Sequence, residues 1–416
     1  QRPEYNVDIN NNFPELALFP AEIWQPNQNV AQLQNSLIPL FSTDFCRIIW
    51  LVTLPNGAVI EDAFDKGDIS SEGRKVNICE LELELVSGTT SDLLFLAKLL
   101  FSVLSVRPSS QSKAARGYRL WKNTLPNYEK PITDTLPIDR KLSISNAFTT
   151  GINHCLTHLH DHTEHYIVSP SLVELEKITE TLALIRHGFW LFADYLPKES
   201  VQIRDELSYF VHLLSWVDNA VNLQELTNKT GNYRQKLNYS DQLVEQLRIE
   251  KRRLPNVDNV LELLHGERFN CLQADLLSML LAEKESSSES LLSFAQQSLS
   301  KSMGAVFSDS DKNELLTSEQ YLSHAKLLNR SLLTTTWFGL LFDQEDRKQY
   351  RTPWLDIQQG ISELQTLWIL HQQLQTLDDK PSKLVLWQGR KVEGLLVALN
   401  GSKQMALAMQ PYWLDE

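Results

Sequence analysis

Cysteine is scarce in this chain. Its four cysteines, at 46, 79, 155 and 271, form no CxxC pair and are too few for a disulfide scaffold. They read as ordinary thiols of a reducing compartment, and the cytoplasm is the expected location. A long hydrophobic run is also missing. The longest apolar stretch, "DLLFLAKLLFSVLSV", is interrupted by Lys98 and is too short to span a bilayer. No signal peptide is seen, so a membrane role is not expected. A GxxxxGK[ST] loop is absent, which removes support for a P-loop phosphate site. Positive charge is in deficit: the formal net charge of −13 argues against a nucleic-acid-coating protein, though a local basic pocket remains compatible with it. Histidine is missing from the first 150 residues, and all ten histidines follow.

What is present changes character near residue 121. At 416 residues and 42% hydrophobic the chain is too long for one compact core, and two domains are expected. The early part alternates short β-like runs with turn signals: "STDFCRIIWLVTL" before a Pro-Asn-Gly turn, then "AVIEDAFDKGD", then "NICELELEL". One helix interrupts, "SDLLFLAKLLFSVLSV", with Ser91 or Asp92 as its expected cap. Pro126, Pro131 and Pro137 mark a linker over 123–139. From about 140 onward, stretches such as "SLVELEKITETLALIRHGFWLFADYL" carry helical periodicity almost throughout, which predicts an all-α second domain over 140–416.

"CELELEL" places Glu80, Glu82 and Glu84 on one face of a strand, with Leu81, Leu83 and Leu85 on the other face and expected in a core. Like charges in a row repel unless water, cations or Lys/Arg of neighbouring strands offset them. Glu61 and Asp65 alternate in the same way on the preceding strand. Basic residues recur at positions that read as strand-like: Arg2 beside Glu4, Arg47 in "STDFCR", and Lys113 and Arg116 in "SKAARGY". A sheet offering carboxylates and cations on one face can close into a barrel with a charged interior. Such an interior suits a polyphosphate chain, whose oxygens need cations and whose divalent metal ions need carboxylates.

The stretches "QRPEYN", "PLFSTDF.R", "CELELEL.SG" and "SKAARGY" resemble the CYTH domain of bacterial inorganic triphosphatases, the triphosphate tunnel metalloenzymes, joined to a C-terminal CHAD domain. "LIRHGFWLF" and the terminal "LWQG…PYWL" resemble the CHAD part of the same two-domain proteins. The resemblance implies an α+β organisation. Residues 1–122 would be the later part of an antiparallel CYTH tunnel, which has eight strands in the family, and 140–416 a helical-bundle CHAD domain. It implies hydrolysis of inorganic triphosphate with Mg²⁺ or Mn²⁺. Glu82 and Glu84 match the family's late Glu-x-Glu and would act catalytically with Arg47 and Lys113; Glu80, Glu82, Glu84 and Asp65 would hold metal. Arg2, Arg47, Lys113 and Arg116, with Glu4, would bind the triphosphate. The family's first-strand Glu-x-Glu-x-Lys has no counterpart here, and the match starts in mid-domain at Gln1. The expectation is a fragment of a longer protein with impaired activity. A thiamine triphosphatase or an adenylyl cyclase of the same class, and a polyphosphate-binding module without catalysis, are the alternatives.

His154, His158, His162 and His165 fall on one helix face, a spacing that can chelate a metal or form an exposed polar stripe. The CHAD resemblance adds a basic groove for polyphosphate, with Arg186, His187, Arg204, His324, Lys326 and Arg330 as its candidates. "EKRR", with Lys251, Arg252 and Arg253, is either a groove edge or a solvated helix end. Neither a nucleic-acid nor a membrane partner is expected, and the oligomeric state is open.

Overall fold

The computed structural model describes residues 5–9, 13–124, 134–228, 231, 233–237, 240–282, 289–309, 311–377 and 380–414. In chain order its elements are α1 (Val30–Ser36), β1 (Ser42–Thr53), β2 (Val59–Ser71), β3 (Arg74–Ser87), α2 (Thr90–Val103), α3 (Lys113–Lys122), α4 (Ile144–Val168), α5 (Leu172–Leu191), α6 (Ser200–Leu213), α7 (Trp216–Thr227), α8 (Arg234–Leu237), α9 (Asp241–Arg253), α10 (Val257–His265), α11 (Glu267–Leu281), α12 (Leu291–Ala305), α13 (Ser318–Phe338), α14 (Gln344–Gln375) and α15 (Ser382–Ala408). They fold as two compact units that interleave in sequence: 1–53, 59–86 and 111–127 form the first, and 54–58, 87–110 and 128–416 the second.

The first unit holds a three-stranded antiparallel sheet in the order β1-β2-β3. Its β2–β3 hairpin closes through Glu72 and Gly73, both at positive φ (48° and 78°), as a tight two-residue turn requires. In the β1–β2 register, Arg47 lies opposite Asp65 and Phe45 opposite Gly67. A Cβ on Gly67 would lie 2.1 Å from the Asp44 carbonyl oxygen, so only glycine permits this approach. Among the described residues β1 has one strand neighbour, and its Ile48, Ile49, Trp50 and Leu51 are exposed on both faces. The leucines expected in a core are less covered than their alternation implies: Leu81 and Leu83 are half-buried and Leu85 is exposed.

Lys113 and Arg116 stand on a helix, not a strand. Ser112 caps α3 by accepting a hydrogen bond from the Ala115 N–H, and a three-residue spacing places both cations on one side of the helix. The helix comes close to its surroundings because Gly117 has no side chain, a Cβ there falling 2.3 Å from the Phe41 ring.

The second unit is helical. Thr89 caps α2 through a capping box with Asp92, two residues ahead of the first expected cap. Its main core collects Phe148, Phe189, Phe192, Trp337 and Trp354, and a smaller leucine cluster joins α7, α9, α14 and α15. Trp337 sits where α4, α5 and α13 converge. Gly151 and Gly188 would each drive a Cβ into its ring, at 2.3 and 2.1 Å, and the indole N–H donates to the Leu184 carbonyl. No helix among the described residues is long and apolar enough to cross a membrane.

Candidate functional site

In the first unit, β1, β2, β3 and α3 bring six of the sequence-predicted residues together. Asp65, wholly shielded from solvent, accepts two hydrogen bonds from the directly opposed Arg47, at 2.7 Å from Nε and 2.6 Å from Nη2. Arg47 Nη2 also reaches Glu82 Oε2 at 2.6 Å. From α3, the Lys113 ammonium contacts Asp65, Glu80 and Glu82 at 2.7, 2.5 and 2.6 Å, and Arg116 pairs with Glu80 at 2.8 Å. Three carboxylates thus face three cations, and the cluster is neutral as it stands.

The electrostatics follow from these contacts. Hydrogen bonds from Arg47 hold the Asp65 carboxyl well below the usual range, at about 2, with Lys113 adding to the effect. Burial disfavours the Lys113 ammonium, but its hydrogen bonds to Asp65, Glu80 and Glu82 outweigh that and its pKa is raised. Arg47 is likewise raised, by its hydrogen bonds to Asp65 first.

One ligand oxygen from each of Asp65, Glu80 and Glu82 can lie within 4.8 Å of the other two. Opposite ligands of an octahedral Mg²⁺ or Mn²⁺ stand about 4.2 Å apart, and an all-oxygen set is the chemistry such hard cations take. The residues fit a divalent cation. Glu84 is exposed and does not join this group. Arg2 and Glu4 lie outside the described residues. Sequence reasoning missed Phe45, whose ring lies 5.2 Å from the Lys113 ammonium and 5.8 Å from the Arg47 guanidinium. Its signal was the Phe-x-Arg alternation of "FCR", which puts ring and cation on one strand face.

The second unit gathers a different group. Arg186 of α5 donates to Ser208 Oγ at 2.7 Å, and Ser208 in turn donates to the Arg204 carbonyl. Burial lowers the Arg186 pKa, and the nearby charges of Arg330 and Arg204 lower it further, so three guanidinium groups share one neighbourhood. Among the described residues neither Arg186 nor Arg330 is paired with a carboxylate. His187, 6% exposed, bonds Thr334 Oγ1 through Nε2 at 2.9 Å and stacks on Trp190. Burial first, then Arg330 and Arg186, push it down to about 4. Lys326 is one turn before Arg330 on α13 and exposed, as Arg330 is. His324 lies elsewhere, its ring 4.8 Å from that of Phe307.

The histidine stripe of α4 is not an exposed face. His158 and His162 are buried, and His162 Nδ1 bonds Glu174 Oε2 at 2.8 Å, with His165 Nδ1 at 3.3 Å from the same oxygen. The stripe faces α5 through Glu174, and its histidines join no metal-ligand group among the described residues. Arg252 and Arg253 pair with Glu245 and Glu250 of their own helix, the solvated helix end among the two expectations for "EKRR".

Residues 150–375, more than half of the chain, match the family model of the CHAD domain. The chain belongs to the CHAD family. Arg186, His187, Arg204, His324, Lys326 and Arg330 all lie inside the CHAD match. An inorganic triphosphatase of Haemophilus influenzae is 40% identical over 125 residues, which is 29% of this chain and 33% of that protein. The chain thus spans a third of the length of this curated relative. Solved structures similar to it include the CHAD domain from the plant Ricinus communis, with 17% identity and a TM-score of 0.44, covering 68% of this chain and 93% of that one. PptA from Streptomyces chartreusis has 12% identity and the same TM-score of 0.44, covering 63% of this chain and 100% of that one.

Proposed function

We propose that the first unit of this CHAD protein is a CYTH-type triphosphate site that hydrolyses inorganic triphosphate to diphosphate and phosphate. The observation that carries this reading is the convergence of Lys113 on Asp65, Glu80 and Glu82, with Arg47 and Arg116 on the outer oxygens. The partial likeness to an inorganic triphosphatase supports it. A cluster that neutralises itself is poised for exchange: Arg47, Lys113 and Arg116 can turn to triphosphate oxygens, and Asp65, Glu80 and Glu82 would then be free to hold a cation, so that no charge is left buried without a partner.

In this reading Asp65, Glu80 and Glu82 would hold Mg²⁺ or Mn²⁺. When bound, such an ion neutralises charge on phosphate oxygens as the terminal phosphoryl group departs. Arg47, Lys113 and Arg116 grip the phosphate chain and fix it in line. A water oxygen forms the new bond to the terminal phosphorus, the bond to the bridging oxygen breaks, diphosphate leaves, and the proton goes to solvent. No side chain becomes covalently attached. Release of phosphate from triphosphate should require Mg²⁺ or Mn²⁺ and fall by about two orders of magnitude or more in Glu82→Gln, which keeps the shape and removes the charge. Metal-independent release, or a Glu82→Gln protein as active as the parent, contradicts the reading.

A second activity is favoured by the arginine group of the CHAD domain. Arg186, Arg204 and Arg330 crowd together without a carboxylate paired to Arg186 or Arg330 among the described residues, an arrangement suited to a polyanion such as polyphosphate. Lys326 extends the same helix side. Binding to polyphosphate that survives Arg186→Ala and Arg330→Ala unchanged would rule this out.

A further inference from the structure

We infer that the arginine group of the second unit is built for a nucleoside polyphosphate, with Trp190 as the platform on which the base stacks; this rests on the reading of Arg186, Arg204 and Arg330 as a polyanion site. Trp190 and Arg186 are four residues apart on α5, so the indole and the guanidinium are neighbours on one helix face. His187, between them in sequence, is fixed at its far end, where Nε2 bonds Thr334 Oγ1 at 2.9 Å, and Thr334 lies one turn after Arg330 on α13. The His187 ring stacks on the indole with centroids 5.5 Å apart and planes at 30°. Trp190 is nevertheless 55% exposed, so its histidine-facing side is covered and the rest of the indole is open to solvent. On the other flank Arg186 Nε donates to Ser208 Oγ, and Ser208 is one turn along α6 from Arg204.

A lone exposed tryptophan carries no message, since single apolar side chains are common on protein surfaces. Trp190 differs in two respects. Its ring is held from beneath: burial first, then Arg330 and Arg186, push the His187 pKa down to about 4, so at neutral pH the indole rests on an uncharged imidazole. It also stands beside cations that lack carboxylate partners. Among the described residues no carboxylate pairs with Arg186 or Arg330, and Arg204 has its exposed neighbour Asp205 at 3.9 Å. A bare phosphate chain uses the guanidinium groups and leaves the indole idle. A nucleotide uses both, because base–aromatic stacking tolerates any base and each further phosphate offers acceptors to another guanidinium. One helical turn, about 6 Å for four residues, separates the two chemistries on α5, a distance that a ribose bridges between its base and its first phosphate. The later phosphates then fall to Arg204 of α6 and Arg330 of α13.

The test uses the full chain carrying Lys113→Ala, which disables the phosphate grip of the first unit, and two probes that differ by a nucleoside, ATP and inorganic triphosphate. In calorimetric titrations Trp190→Ala should weaken ATP binding about tenfold, the scale of one lost base–aromatic stack, and leave inorganic triphosphate unchanged. Trp190→Phe should recover most of the loss, because it restores a ring. Arg186→Ala combined with Arg330→Ala should weaken both probes. A photoreactive azido analogue of ATP should label the α5 peptide that carries Trp190, located by mass spectrometry, and excess ATP should suppress that labelling. A Trp190→Ala protein in which neither probe changes, or both change alike, overturns the inference, as does labelling confined to other peptides; if both probes still weaken in the arginine variant, the polyanion reading survives that failure. Arginine substitutions that weaken neither probe refute the polyanion reading itself, and the nucleotide inference falls with it.

Discussion

Asp65 has no contact with solvent and yet is held ionised, because Arg47 and Lys113 supply more to the carboxylate than burial removes. Its folded pKa, about 2, lies below the value near 4 of an unfolded aspartate. The stability it contributes is therefore fully present above pH 4 and is lost as the pH falls from about 4 towards 2. Asp65→Asn should cost about 1–2 kcal/mol at pH 7, less than full linkage because Arg47 stands partly in solvent, and the variant should lose the extra acid sensitivity over that window. Urea unfolding at stepped pH checks this; an Asp65→Asn protein whose stability falls between pH 4 and 2 as steeply as the parent's contradicts it. The acidic positions were legible in the sequence because alternation alone puts Glu80 and Glu82 on one face and Asp65 on the matching face of its neighbour. Alternation also put Glu84 there, but a ladder says nothing about where the partner cations end, and Lys113 stops at Glu82.

Two of the three cations come from one element whose nature the sequence pattern disguised. Lys113 and Arg116 were expected on a strand, continuing the series of Arg47, but Ser112 as a cap and a spacing of three are helix signals, and α3 is what forms. A helix delivers two long side chains over the sheet from a single backbone, which suits a site whose carboxylates lie on two adjacent strands. Its approach depends on Gly117 against the Phe41 ring. Gly117→Ala should destabilise the first unit by about 1–3 kcal/mol through overpacking and loosen Lys113 from the carboxylates, even though alanine is the better helix former. Thermal unfolding and the rate at which an amine-reactive reagent labels Lys113 check this together; a stabilised Gly117→Ala protein would show that the helix does not dock as described. The helices of the second unit were legible from amphipathic periodicity. The meeting of Arg186, Arg204 and Arg330 from three helices was not, because nothing local encodes which faces of α5, α6 and α13 turn toward each other.

At the scale of the whole molecule, a chain with a formal charge of −13 must bind polyanions against its own field, so each anion site has to be local and cationic. Polyphosphate binding by the arginine group should accordingly be weak and should fall steeply as salt rises from about 0.05 to 0.2 M, since both the local attraction and the competing repulsion are screened over about 10 Å. Affinity that does not change with salt would point to a mode of binding other than this group. The two units divide the chemistry: acid and base pairs in the sheet, a cationic group in the helices. The composition changes near residue 121, yet α2 and the segment after it belong to the helical unit, because periodicity marks a helix without saying which core it joins. The most direct test of the account is calorimetric titration of the protein with inorganic triphosphate in the presence and absence of Mn²⁺, with a Glu80→Gln/Glu82→Gln protein beside the parent. The account predicts binding that Mn²⁺ strengthens at least tenfold in the parent and leaves unchanged in the double variant. Equal binding with and without Mn²⁺ in the parent would contradict it.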